Sequence, residues 1–208
     1  MPPSSTPLYA YGEDALTLWA LTHRLDQILS ELGDDSPPDA CRIYYRPSFG
    51  RRGGPNRAEF GEFDAIIMAR QALYLVESKW CPAGKKPSRH ALRLAPHQIE
   101  RHVIFGQYVE QWLALRPRVW AGFTATASLT LSDGTSKNVA SAGSLLARSL
   151  ETMLSAIAER YSACPPVHNV LIYFHHAVPA DKLPRPHNGF RVVYMNYAEI
   201  ARGPFVCC

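Results

Sequence analysis

The stretch GEFDAIIMARQALYLVESKW (residues 61–80) holds two carboxylates and an amine at a spacing that could do chemistry together. Asp64 lies early in an apolar run, FDAIIM, and Glu77 and Lys79 lie late in a second, LYLVESKW. Only ARQA separates the runs, so a β-hairpin is the economical reading. Residues two apart project from the same face of a strand, which puts Glu77 and Lys79 together. A hairpin symmetric about ARQA sets Met68 opposite Leu73 and Asp64 opposite Glu77. Directly opposed side chains have Cβ atoms about 5 Å apart. Two carboxylates that close repel unless a proton or a cation lies between them. With a lysine alongside, the arrangement makes sense for Mg²⁺ and a phosphodiester.

Charge then assigns the roles. Asp64 and Glu77 would hold a hard divalent cation through oxygen, with waters filling the remaining positions. The backbone carbonyl of Ser78 could offer a further oxygen. The cation would acidify a water and neutralise charge building on the phosphate. Lys79 would orient the attacking water or stabilise the pentavalent phosphorus. Hydrolysis of this kind runs in line, without a covalent enzyme intermediate.

The Asp64…Glu77-Ser78-Lys79 pattern resembles the PD-(D/E)XK nuclease superfamily, the restriction-endonuclease-like fold. The resemblance covers roughly Glu13 to Leu115; Phe63 stands where the motif has its first proline. It implies a glutamate from the first helix, for which Glu13 is the candidate and Asp14 the alternative. It also implies a glutamine in the helix after the hairpin, and Gln98 sits in the first turn after Pro96. Mg²⁺, with Mn²⁺ as a substitute, is the implied cofactor, and DNA rather than RNA the implied substrate. Subunit pairing or a protein partner would then help to select that substrate. The expected function is a metal-dependent nuclease. The alternatives are a non-catalytic nucleic-acid-binding or scaffolding module of the same fold, and an unrelated α/β domain. In the last case the hairpin is an exposed edge with a surface Glu–Lys pair, worth at most about 1 kcal/mol.

Helices and strands must position these residues. From Glu13 to Leu32, Leu18, Leu21, Leu25, Ile28, Leu29 and Leu32 form one helical stripe that Gly33 stops. CRIYYRPS reads as a short strand, and FGRRGGPNRAEFGE as a glycine- and arginine-rich connection. After the basic loop CPAGKKPSRHALRLA, Pro96 opens a helix through about Leu115. VWAGFTATASLTL reads as strand, with DGTS as its turn. An amphipathic helix follows between Gly143 and Tyr161, capped by Ser141 or Ser144. NVLIYF and FRVVYM are buried-type strands. This order predicts a loose arm at 1–10 and one α/β domain at 11–208, its mixed central sheet flanked by helices. The motif core falls within 13–115, and the chain from Val119 onward matches no motif.

Basic residues cluster on both sides of the hairpin. Arg42, Arg46, Arg51, Arg52 and Arg57 precede it; Lys85, Lys86, Arg89 and Arg93 follow. Arg51, Arg52, Lys85, Lys86 and Arg89 are the chief candidates for phosphate contacts. Tyr44, Tyr45 and Trp80 interleave with them and could stack on bases. His97 and His102 miss a common helix face, and His175-His176 read as ordinary strand-end polar residues. FGRRGG lacks the Lys-Ser/Thr of a phosphate-binding loop, and there is no GxSxG elbow.

Composition narrows the setting without naming a function. The chain has 208 residues and a formal charge of +4, which permits a polyanionic partner but does not require one. Five scattered cysteines with no CxxC pair argue against a disulfide framework or structural zinc and for a reducing compartment. The first residues lack a signal-peptide pattern, and no apolar run approaches the roughly 18 residues of a membrane span. The expectation is a cytoplasmic protein without a membrane partner.

Overall fold

The two apolar runs that carry the carboxylates form the middle of the fold. The computed structural model describes residues 8–10, 12–50, 57–88, 91–117, 119–185, 189–198, 200 and 205–207. The first half contains β1 (Leu8–Ala10), α1 (Gly12–His23), α2 (Leu25–Glu31), β2 (Arg42–Tyr45), β3 (Ser48–Phe49), β4 (Gly61–Glu62), β5 (Ala65–Met68) and β6 (Leu73–Trp80). The second contains α3 (Pro96–Leu115), α4 (Trp120–Thr124), β7 (Leu129–Thr130), β8 (Ser136–Lys137), α5 (Leu145–Arg160), β9 (Val167–His175), β10 (Arg191–Asn196) and β11 (Phe205–Cys207).

Five strands make the central sheet in the order β10-β9-β6-β5-β2. The β2, β5 and β6 pairs are antiparallel, while β6, β9 and β10 run parallel, so the sheet is mixed as expected. Met68 pairs with Leu73 and Ala65 with Val76, the register the symmetric hairpin requires. β6 is the central strand. All four residues of β5 and the first six of β6 are buried. Such near-continuous apolar runs belong to strands covered on both faces.

Two cores explain that covering. On one face Leu16, Ala20, Ile28 and Leu29 from α1 and α2 pack on Ala65, Ile67, Tyr74 and Val76. On the other, Phe105, Tyr108, Val109 and Trp112 from α3 and Leu150, Leu154 and Ile157 from α5 pack on Ile66, Met68, Leu73 and Leu75. Ser144 caps α5, accepting from Ala147 N at 3.0 Å. Gly33, at φ 68, ends the α2 turn in the left-handed conformation that spares a Cβ its clash. No described helix is long and apolar enough to cross a membrane.

Three expectations change. The helix expected from Glu13 to Leu32 is broken at Arg24, whose φ of −138° leaves the helical region, giving α1 and α2. VWAGFTATASLTL is not one strand: Trp120–Thr124 is helical and only Leu129–Thr130 is extended. Trp120 decides this, since its indole donates to Ala140 O at 2.7 Å and its ring packs on Tyr108, Trp112 and Phe123. Of the arm at 1–10, Leu8–Ala10 pair in parallel with Phe205–Cys207, and residues 1–7 lie outside the described residues. At the described ends of the glycine-rich connection, Ser48 pairs with Glu62, and buried Phe49 and Phe60 stack at 5.4 Å.

Candidate active site

The N-terminal turns of α1 and α3 converge on one end of the central hairpin, from opposite faces of the sheet. Asp64 lies one step beyond the Ala65–Val76 pair, and its N–H donates to Val76 O at 3.1 Å. Its carboxylate takes over where the ladder stops, Oδ2 accepting from Ser78 N at 2.6 Å. Among the described residues, no hydrogen bond reaches Oδ1. The N–H and C=O of one strand residue point the same way, so the Ser78 carbonyl faces the same gap. The oxygen expected at Ser78 is thus directed toward Asp64.

Glu77 is 1 % exposed and held by three side chains of α3. Its Oε2 accepts from Gln98 Nε2 and Arg101 Nη2, both at 2.8 Å, and Oε1 lies 3.2 Å from His102 Nε2. Gln98 also accepts from Ala95 N at 2.9 Å, so the side chain that starts the helix also meets Glu77. His102 is held in turn by Asn169 Oδ1, 2.8 Å from Nδ1, and by the ring edges of Phe63 and Phe190. Arg101 also donates to the Glu62 carbonyl and lies over the Phe63 ring. It therefore ties the segment before Asp64 to Glu77. Gly61 (φ 108) permits this: a Cβ there would meet Arg101 Nη1 at 3.1 Å.

Glu13 reaches the site from α1. Thr17 Oγ1 lies 2.8 Å from both Glu13 O and Ser78 Oγ. The carbonyl can only accept, so Thr17 gives it its proton and receives that of Ser78. This short chain fixes the Glu13 turn to the strand that carries Glu77 and Lys79.

Electrostatics bind the four groups into one unit. Burial first, and then the Glu77 carboxylate, push the Asp64 carboxyl up to about 7, against the pull of Ser78 N–H and Lys79. Burial also raises Glu13, opposed by Lys79 and the Trp80 N–H. Burial first, and the neighbouring carboxylates second, thus disfavour the charged form of both acids, the situation a cation relieves.

Among the described residues, no group of three or more His, Cys, Asp or Glu closes on a common metal position. The donors still fit Mg²⁺, which keeps several waters and takes one or two carboxylates rather than an all-protein cage. Asp64 Oδ1 and the Ser78 carbonyl are the oxygens best placed. Glu77 has three of about four acceptor positions filled, which leaves it one.

Comparison with known proteins finds no matching family model, no matching curated protein and no matching solved structure. The site therefore rests on its own geometry.

That geometry sorts the remaining candidates. Asp64, Glu77, Ser78, Lys79, Glu13 and Gln98 are brought together. The hairpin is central and Glu77 pairs with Arg101, so the reading of an exposed edge with a surface Glu–Lys pair does not hold. Lys85 and Lys86 are exposed on the loop after β6, which Cys81 anchors by donating to Lys85 O at 3.5 Å. Arg51, Arg52 and Arg89 lie outside the described residues. Arg42 pairs with Met68, at the far end of the sheet, and cannot flank the site. Of the aromatics, Tyr45 is exposed, while Tyr44 and Trp80 pack partly against the two cores. The sequence reading missed Arg101 and set His102 aside after weighing it only against His97. Their signal was there: Gln98, Arg101 and His102 share a face with Phe105, Tyr108 and Val109, three polar residues heading an apolar stripe.

Proposed function

We propose that this protein is a metal-dependent nuclease that hydrolyses phosphodiester bonds, with DNA as the favoured substrate. The observation that carries the reading is the meeting of Asp64, Glu77 and Lys79 at the open end of a buried hairpin, with Glu13 and Gln98 arriving from the two flanking helices. A hard divalent cation bound there supplies charge neutralisation on the phosphate and makes water a better nucleophile near neutral pH. Asp64 and the Ser78 carbonyl hold it, and Glu77 fixes the acidic wall against which it rests. Gln98, Arg101 and His102 keep Glu77 from turning away. Lys79 faces the same side of the strand as Glu77 and directs an N–H at the phosphate oxygens as charge develops on them. The preference for DNA comes from the motif's resemblance to the PD-(D/E)XK nucleases.

The test is a cleavage panel of duplex, single-stranded and branched DNA and RNA, each in Mg²⁺, Mn²⁺ or EDTA. Wild type is compared with Asp64→Ala and Lys79→Ala. Metal-dependent cleavage lost in both variants supports the reading and identifies the substrate shape. Salt-sensitive binding by wild type without cleavage points instead to a binding module of the same architecture.

A further inference from the structure

Arg46 stands beside the site in a conformation that its neighbours must enforce. It follows β2, and its N–H donates to Asp64 O at 3.1 Å, one step beyond the Tyr45–Ala65 pair. Arg46 is thus bonded to Asp64 at the end of the sheet, and the Asp64 N–H in turn meets Val76 O, the residue before Glu77. The Arg46 backbone, at φ 50, is left-handed, which is unfavourable for a residue with a Cβ. Such conformations persist where the surroundings fix them, and they concentrate at working sites.

The side chain is stationed with equal care. Its Nε and Nη2 donate to Glu62 Oε1 at 2.7 and 2.5 Å, and Nη1 donates to Asp14 Oδ2. Asp14 is the neighbour of Glu13, and Glu62 lies two residues before Asp64. The Tyr45 hydroxyl donates to Asp14 O at 2.9 Å and closes the ring. Arg46 and Asp14 remain 40 % and 53 % exposed and Glu62 19 %, so this is a partly solvated rim and not a buried lock. Exposed ion pairs of this kind exchange readily. A guanidinium presents a planar fork that fits a phosphate as well as it fits a carboxylate.

We propose that Arg46 is the residue that takes a backbone phosphate of the substrate at the mouth of the site, and that Asp14 and Glu62 hold it there by competing with that phosphate. The proposal rests on the nuclease reading and adds to it a named ligand for the substrate and a competition that sets affinity. A purely structural clamp between α1 and β4 makes the opposite prediction for the two carboxylates. Neutralising them would then loosen the rim and leave binding unchanged or weaker. Under the proposal it frees Arg46 and tightens binding.

The experiment is equilibrium binding of the full chain to a labelled DNA oligonucleotide in EDTA, over about 50–200 mM salt. Wild type is compared with Arg46→Ala, Arg46→Lys and the double variant Asp14→Asn/Glu62→Gln. Arg46→Ala should weaken binding about tenfold and flatten the log–log salt slope by about one, the mark of one lost phosphate contact. Arg46→Lys should keep the slope and bind less tightly, having lost the fork. The double variant should bind several-fold more tightly than wild type. It retains Arg46, so it keeps the test alive if Arg46→Ala does not fold by thermal melting. An unchanged slope in Arg46→Ala, or a double variant no tighter than wild type, overturns the proposal while leaving the nuclease reading in place. Absence of any salt-sensitive binding by wild type overturns both.

Discussion

Asp64 and Glu77 lie close together at the end of the central hairpin, yet their carboxylates are held in opposite ways. Asp64 takes one backbone N–H from Ser78 and has a carboxyl pushed up to about 7 by burial and by Glu77. Glu77 is surrounded by Gln98, Arg101 and His102. One acid is kept short of partners and the other has three. That asymmetry makes Asp64 the group a cation would relieve and Glu77 the fixed charge beside it.

Stability without divalent cations should therefore fall as pH rises. Asp64 has a folded pKa above its unfolded one, so between about 4 and 7 the folded state binds more protons. Stability then drops through that window, by up to about 1.4 kcal/mol per pH unit from this group, and levels off above it. Asp64→Asn should remove this component and raise Tm at neutral pH. Added Mg²⁺ should raise the wild-type Tm near pH 7.5 and leave Asp64→Asn unmoved. Calorimetry across pH with EDTA or Mg²⁺ checks both statements.

Glu77 and Arg101 should behave as a buried pair. Removing one partner strands the other's charge, so Arg101→Met or Glu77→Gln alone should cost about 3–5 kcal/mol. The double variant should cost clearly less than the sum of the two. A urea-denaturation cycle measures the coupling, and strict additivity would mean that the pair carries no special role.

The hydroxyl chain from Ser78 through Thr17 to Glu13 offers a milder perturbation. Thr17→Val keeps the shape and removes a buried hydrogen-bonding group, so it should cost about 1–3 kcal/mol. It should also lower cleavage while Tm stays well above the assay temperature, because the Glu13 turn loses its tie to the strand. A Thr17→Ser variant should restore most of the rate. Melting curves and rates taken side by side would separate a local effect from general unfolding.

The hairpin, its register and the start of α3 were legible because local signals and tertiary demands agree there. FDAIIM and LYLVESKW are apolar and β-rich, ARQA fits the turn, and Pro96 suits a first helical position. Gln98 was placed beside the acids by the motif's resemblance and not by a local signal. The α4 turn was not legible, because its Phe and Thr residues and the preceding Val119 favour strand while Trp120 is drawn into an aromatic cluster by α3 and Ala140. The break at Arg24 is a tertiary adjustment too, letting α1 and α2 follow the sheet separately. Arg101 and His102 show a subtler gap. Their face could be read from spacing, but that the partner is Glu77 depends on how α3 lies across the sheet.

Under the proposed function, Asp64 and Lys79 act as one catalytic unit in metal-dependent phosphodiester cleavage. Single-turnover rates on the best substrate of the panel, for wild type, Asp64→Asn, Lys79→Met and the double variant, test it most directly. The expected result is cleavage that EDTA abolishes, a loss of at least about a thousandfold in each single variant, and a double variant little worse than either. Wild-type rates in either single variant, or no metal-dependent cleavage by the wild-type protein, would contradict it.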